Sequence, residues 1–208
     1  MDTYDLSADN IDLSSLEYFL LMPYGKVSLK NKTLSKGLYN NSQLFYYIFS
    51  GSTSTNAYQL TEFNTSNLSA PTSTVTSFGN SFAYADYYSG TSSATAYDWI
   101  GTNMNLPYIT SVNPYGMAKK ANLIDFSGSY IPKMTSFSIG NPNGYYANIK
   151  ELKLNNITAP NITSLTRFCY LCNSLINIET AELDTKKVTN MDNAFYNCSA
   201  LPFLDIAH

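Results

Sequence analysis

One tetrapeptide recurs along this chain at nearly even intervals, and the recurrence limits the possible folds more than any other feature. "VTSF" begins at Val75, "ITSV" at Ile109, "MTSF" at Met134, "ITSL" at Ile162 and "VTNM" at Val188. Pro107, Pro132 and Pro160 each stand two residues before a copy, and Pro71 lies slightly further ahead of the first. Between the copies runs a second pattern, with apolar residues mostly at i, i+3 and i+5. It reads "IKELKL" from Ile149, "LINIET" from Leu175 and "LPFLDI" from Leu201, with a degenerate "LIDFSG" from Leu123. These four starts are evenly spaced, and Ala96 and Leu60 are the expected earlier equivalents. A period in this range marks units that cannot bury an apolar side alone and do so by stacking in series.

Each unit is therefore expected to hold a short parallel strand, a Pro-marked turn, a second extended piece and a short helical turn ending near Cys198. Thr189 is placed to cap that last turn with its hydroxyl. Leu123, Ile149, Leu175 and Leu201 are expected in one buried column. Phe195 should rest on Cys169 and Phe168, with Phe82 and Phe49 behind them, and residues 44–51 read as an early, drifted copy. Residues 1–33 fall outside the pattern and are expected to form an N-terminal cap or docking segment. Within them, residues 12–25 read as a helix, with Ser14 and Glu17 at capping-box spacing. Residues 34–208 form the repeat region, regular from about residue 97 and ending in an incomplete coil.

"LDTKKVTNMDNAFYNCSALPFLDI", residues 183–206, resembles the 26-residue repeat of BspA-type leucine-rich-repeat surface proteins. That repeat reads roughly D-T-S-x-V-T-N-M-x-x-M-F-x-x-C-x-x-L-x-x-L-D-L. The match is close for this last unit, fair over residues 149–174 and weak before Leu123. The resemblance implies a leucine-rich-repeat-like right-handed solenoid, a repeat coil with one short parallel strand and a short helical turn per unit. The family occurs in bacterial lipoproteins and adhesins, in some parasitic protists and in phage genomes, and is associated with attachment to host or partner surfaces. It implies no enzymatic activity and supplies no catalytic residues.

Composition narrows the partner. Only 13% of the 208 residues are charged and the net charge is −3, which argues against nucleic acid, since that partner needs clustered Lys and Arg. Polarity comes from Ser, Thr and Asn, alongside 18 Tyr and 11 Phe. No apolar run reaches membrane-spanning length. The opening "MDTYDLSADN" lacks the basic start of a secretory signal. His208 is the sole His and ends the chain, so no nucleophile has a buried His base. Asp125, Glu151, Glu179 and Asp205 fall on outward strand positions, where a ladder of acids keeps a face solvated. No enzyme, metal or cofactor is expected.

Cys172 and Cys198 are one repeat period apart, in one column with Cys169 nearby, and read as core thiols, with a metal or redox site as the alternative. Seven N-x-S/T sequons follow from the Asn, Ser and Thr content and carry little weight. Residues 51–57, 86–95 and 139–146 are insertions expected to leave one edge, rich in Tyr, Ser, Gly and Asn like antibody contact loops. Tyr87, Tyr88, Tyr145 and Tyr146 are the candidate contact patch. The competing surface is the outward strand face with Lys150, Glu151, Lys153, Ile176 and Phe203.

The expected function is a non-enzymatic recognition or adhesion module that binds a cell-surface protein or glycan, at a bacterial cell surface or on a phage virion. The alternative is a structural or decoration subunit of a virion or other assembly. There, Leu201, Leu204 and Ile206 at the C-terminal edge would meet a neighbouring subunit.

Overall fold

The computed structural model describes residues 3–7, 24–35, 44, 59–78, 96–113, 121–140 and 147–203. Seven strands form one sheet: β1 (Thr3–Asp5), β2 (Tyr24–Ser28), β3 (Gln59–Asn64), β4 (Tyr97–Ile100), β6 (Ala121–Asp125), β8 (Glu151–Lys153) and β9 (Asn177–Glu179). They lie side by side in chain order and every pair is parallel. The return path carries a second two-stranded parallel ladder, β5 (Ser111–Val112) with β7 (Ser136–Phe137). Single bridges Ser77–Ser111, Ser136–Ser164 and Ser164–Asn190 extend that ladder in both directions. Among the described residues there is no helix.

The corner after each strand repeats one backbone state. Asn31, Asn67, Asn103, Asn156 and Glu182 take left-handed φ of 62°, 57°, 56°, 56° and 64°, and Gly128 takes 72° at the same station. Asn tolerates this region better than most residues and Gly enters it freely. The amides of the four Asn and of Gly128 hydrogen-bond sideways to the next unit, as from Asn67 to Thr102 O (2.8 Å) and from Asn156 to Ala181 O (2.9 Å). At the next corner Pro107 and Pro132 sit second in tight turns closed by Ile109 N to Leu106 O and Met134 N to Ile131 O. Proline's fixed φ suits that place.

The tetrapeptide has a physical reading. Val75, Ile109, Met134 and Ile162 are buried, and so are Phe78, Val112, Phe137 and Leu165 three residues on. The Thr between them forms a ladder. Thr110 donates its hydroxyl to Thr76 O (3.1 Å), Thr135 to Thr110 O (3.1 Å), Thr163 to Thr135 O (3.3 Å) and Thr189 to Thr163 O (3.4 Å). Thr189 thus bonds the neighbouring unit rather than capping a turn of helix.

Between the two ladders lies an aromatic spine. Phe63, Trp99, Phe126, Phe137, Phe168 and Phe195 follow one another at centroid separations of 5.7, 4.7, 6.3, 5.4 and 5.7 Å. The fully buried Trp99 donates its indole N–H to Thr65 Oγ1 (3.0 Å), so its one polar atom is satisfied. Gly101 leaves room for the Phe126 ring, whose edge would stand 2.9 Å from an added Cβ. Phe195 meets Phe168 as expected; Phe82 and Phe49 lie outside the described residues.

Several expectations are corrected. Leu123 is only half-buried, because it pairs with Glu151 rather than Ile149, and the buried column runs Tyr97, Ala121, Ile149, Leu175. Ala96 is exposed, Tyr97 taking its place, and Leu201 is half-buried beside the core. The short helical turn is absent: 191–198 is a run of tight turns broken by left-handed Asn193 and Asn197, matched in 165–172 by Arg167 and Leu171. A right-handed helix would point amides along its own axis. Here Arg167, Cys169 and Leu171 send theirs across to Asp192, Ala194 and Tyr196. Finally, residues 1–33 are not wholly outside the pattern, since β1, β2 and the Asn31 corner belong to the same ladder. Of the helix expected over residues 12–25, Tyr24 and Gly25 are in β2 and the rest lies outside the described residues.

Candidate functional site

Pairing brings Lys26, Glu62, Asp98, Leu123, Glu151 and Asn177 into one row on the outward face of the sheet. A second row holds Ser28, Asn64, Ile100, Asp125, Lys153 and Glu179. Both lysines in these rows are paired with carboxylates. Lys26 meets Glu62 at 2.7 Å, and Lys153 lies 3.3 Å from Glu179 and 3.8 Å from Glu151. Asn122 donates to Asp98, while Asn155 and Asn177 both donate to Glu179. The Asn155 amide, then Lys153, hold the Glu179 carboxyl below its ordinary range, and the bond to Glu62 holds Lys26 above its own. Asp125 caps its own strand end by accepting from Ser127 N (2.9 Å). Exposed pairs of this kind contribute little to stability, so their main effect is to neutralise the two lysines, and the surplus carboxylates leave the face net acidic. Of the competing surface named above, Glu151 and Lys153 belong to these rows. Lys150 and Ile176 sit together at its margin, joined by Ile176 N to Lys150 O, and Phe203 is 76% exposed.

Tyr87, Tyr88, Tyr145 and Tyr146 all lie outside the described residues, as does most of each insertion. The flanks of residues 141–146 are described, and both rest on one turn. Gly140 packs on Tyr170 N and Arg167 O so closely that an added Cβ would collide with them, and Ala147 N donates to Leu171 O (3.1 Å). The same turn carries an aromatic pair that the sequence reading missed. Tyr170 and Tyr196 stack at 5.2 Å with planes 20° apart, and the Arg167 guanidinium lies 5.5 Å from the Tyr170 ring. Their separation by one repeat period was the available signal, hidden because neither residue is in a repeated apolar position.

The three thiols form a cluster. Cys169 and Cys172 are buried, Cys198 is half-buried, and the Cys198 thiol donates to Cys169 O at 2.9 Å. Burial pushes the Cys169 thiol well above its ordinary value and Cys198 up to about 11, so neither favours the thiolate that metal binding or redox chemistry needs. Among the described residues no group of three His, Cys, Asp or Glu is placed to hold a metal ion. No described helix is long and apolar enough to cross a membrane.

Comparison with known proteins identifies no relative: no protein-family model matches the chain, and neither a curated protein nor a solved structure is significantly similar to it.

Proposed function

We propose that the chain is a leucine-rich-repeat-like, BspA-type solenoid that works as a non-enzymatic recognition module for a cell-surface protein or glycan. The observation that carries this reading is the repetition of the same exposed stations from unit to unit over an apolar interior. Thr110, Thr135, Thr163 and Thr189 form one such row, the paired sheet positions another. Rows set about 4.8 Å apart give an extended, stiff surface on which weak contacts add along a long ligand. A role outside the cell, at a bacterial surface or on a phage particle, follows from the resemblance of residues 183–206 to surface-protein repeats. The test is binding of the full chain to panels of extracellular proteins and immobilised glycans. Saturable binding to at least one is expected, and binding to none would overturn the reading.

A second reading, a subunit of a larger assembly, is favoured by a different observation. Ile176, Met191, Tyr196 and Phe203 are four of the five exposed large hydrophobics among the described residues, and all lie in or beside the last unit. A neighbouring subunit seated there would cover them.

A further inference from the structure

Two residues before each Thr of the Thr ladder lies another column: Tyr108, Lys133, Asn161 and Lys187. Each lysine folds back by one station. Lys133 Nζ stands 4.5 Å over the Tyr108 ring, and Lys187 Nζ donates to Asn161 Oδ1 at 2.7 Å. Asn161 is itself fixed, its amide donating to Pro132 O (2.8 Å). The two ammonium groups are thereby held over stations two strands apart, about 10 Å at the spacing of parallel strands.

The chemistry of this ridge differs from that of the sheet face. There Lys26 and Lys153 are neutralised by Glu62, Glu151 and Glu179; among the described residues neither Lys133 nor Lys187 has a carboxylate within ion-pair distance. Beside them the exposed Thr hydroxyls spend their protons on backbone carbonyls, which leaves their oxygens free to accept. Tyr108 adds an aromatic surface. Positive charges at a two-station repeat, flanked by a row of hydroxyl acceptors, suit a linear polymer with many O–H donors and an anion on every second unit. One strand spacing is close to the length a pyranose adds to an extended chain.

We propose that the Tyr108–Lys133–Asn161–Lys187 ridge binds a linear acidic polysaccharide bearing a carboxylate on alternate sugars. This rests on the reading of the chain as a recognition module and names its ligand class and its face. The test measures binding of the full chain to hyaluronan, with neutral dextran and poly-glutamate as comparisons. Saturable binding to hyaluronan is expected, weakened as salt rises, and absent with dextran. Binding should fall roughly tenfold or more in the double variant Lys133→Glu/Lys187→Glu and stay unchanged in Lys30→Glu, an exposed lysine at the other corner. A cooperative thermal transition like that of the parent confirms that the double variant folds, and Lys133→Gln/Lys187→Gln replaces it if it does not. Equal affinity for dextran or poly-glutamate, or full binding by the double variant, would overturn the ridge. Binding to other glycans or proteins without hyaluronan would sink the ridge and leave the recognition reading standing. Binding to nothing would remove both.

Discussion

Asn31, Asn67 and Asn156 begin three of the sequons that sequence reasoning set aside, and each is the left-handed residue of a corner turn. The pattern N-x-S/T arises there from turn chemistry: Asn for the backbone state, a buried residue next, then the Ser or Thr of the bridge column Thr33, Ser69, Thr158. At Gly128 the same station is filled without a side chain, because the Asn103 carboxamide occupies the place a Cβ would take. Gly128→Ala adds both a left-handed strain and that collision, and is expected to cost about 1–3 kcal/mol, read as a lower denaturation midpoint. The thiols make a second residue-scale prediction. Cys169 and Cys198 keep their protons to higher pH when folded than the ordinary 9.0 of an unfolded chain. The stability this gives is complete below pH 9.0 and is lost as the pH climbs past it towards the folded values. Thermal scans should therefore show the melting temperature falling above about pH 9 in the parent, and falling less steeply in Cys169→Ala. Equal slopes would contradict it.

At the scale of the element, the parallel pairing, the buried Ile149, Leu152 and Leu154, and the packing of Phe195 on Phe168 were legible from periodicity alone. The register around Leu123 was not. The unit from Asn103 to Gly128 falls short of the regular period and the one from Gly128 to Asn156 exceeds it. With a bulge between Tyr97 and Asp98 as well, counting leucines slipped the register by two. Counting the turn residues Asn103, Gly128 and Asn156 would have kept it, since only Gly or Asn fits that backbone cheaply. The helical turn was misread because Met191, Phe195 and Cys198 do recur at helical spacing. Spacing reports which side chains point inward, and says nothing of whether amides bond along the chain or across it. The insertion tyrosines remain a property of sequence only. In the tetrapeptide, the Thr is explained by its hydroxyl ladder: Thr135→Ala should lower stability by about 0.5–1 kcal/mol with an unchanged denaturant slope. Lys133→Ala, two residues earlier, should change it by less than about 0.5 kcal/mol.

Over the whole molecule, the interior is shared by neighbouring units and the last described layer lacks a described neighbour on one side. Ile178, Val188, Phe195, Cys198 and Leu201 are packed against the core yet only partly buried, and Met191 is 40% exposed. Apolar surface of this kind drives association. Light scattering on the full chain should show mass rising with concentration, and Met191→Lys/Phe203→Lys should suppress the rise. A constant monomer mass in the parent would show that the layer is already covered.

The central claim is that successive units stack in chain order at a constant step. Thr33, Ser69, Asn105, Tyr130 and Thr158 form one bridged column along that stack, and most are exposed and open to labelling. Spin labels at positions 33 and 130 span three steps, and labels at 33 and 158 span four. The corresponding backbone separations are about 14 and 19 Å, so the measured distance should lengthen by one strand spacing from the first pair to the second. Equal distances, or a shorter one for the pair further apart in sequence, would contradict the stacked order.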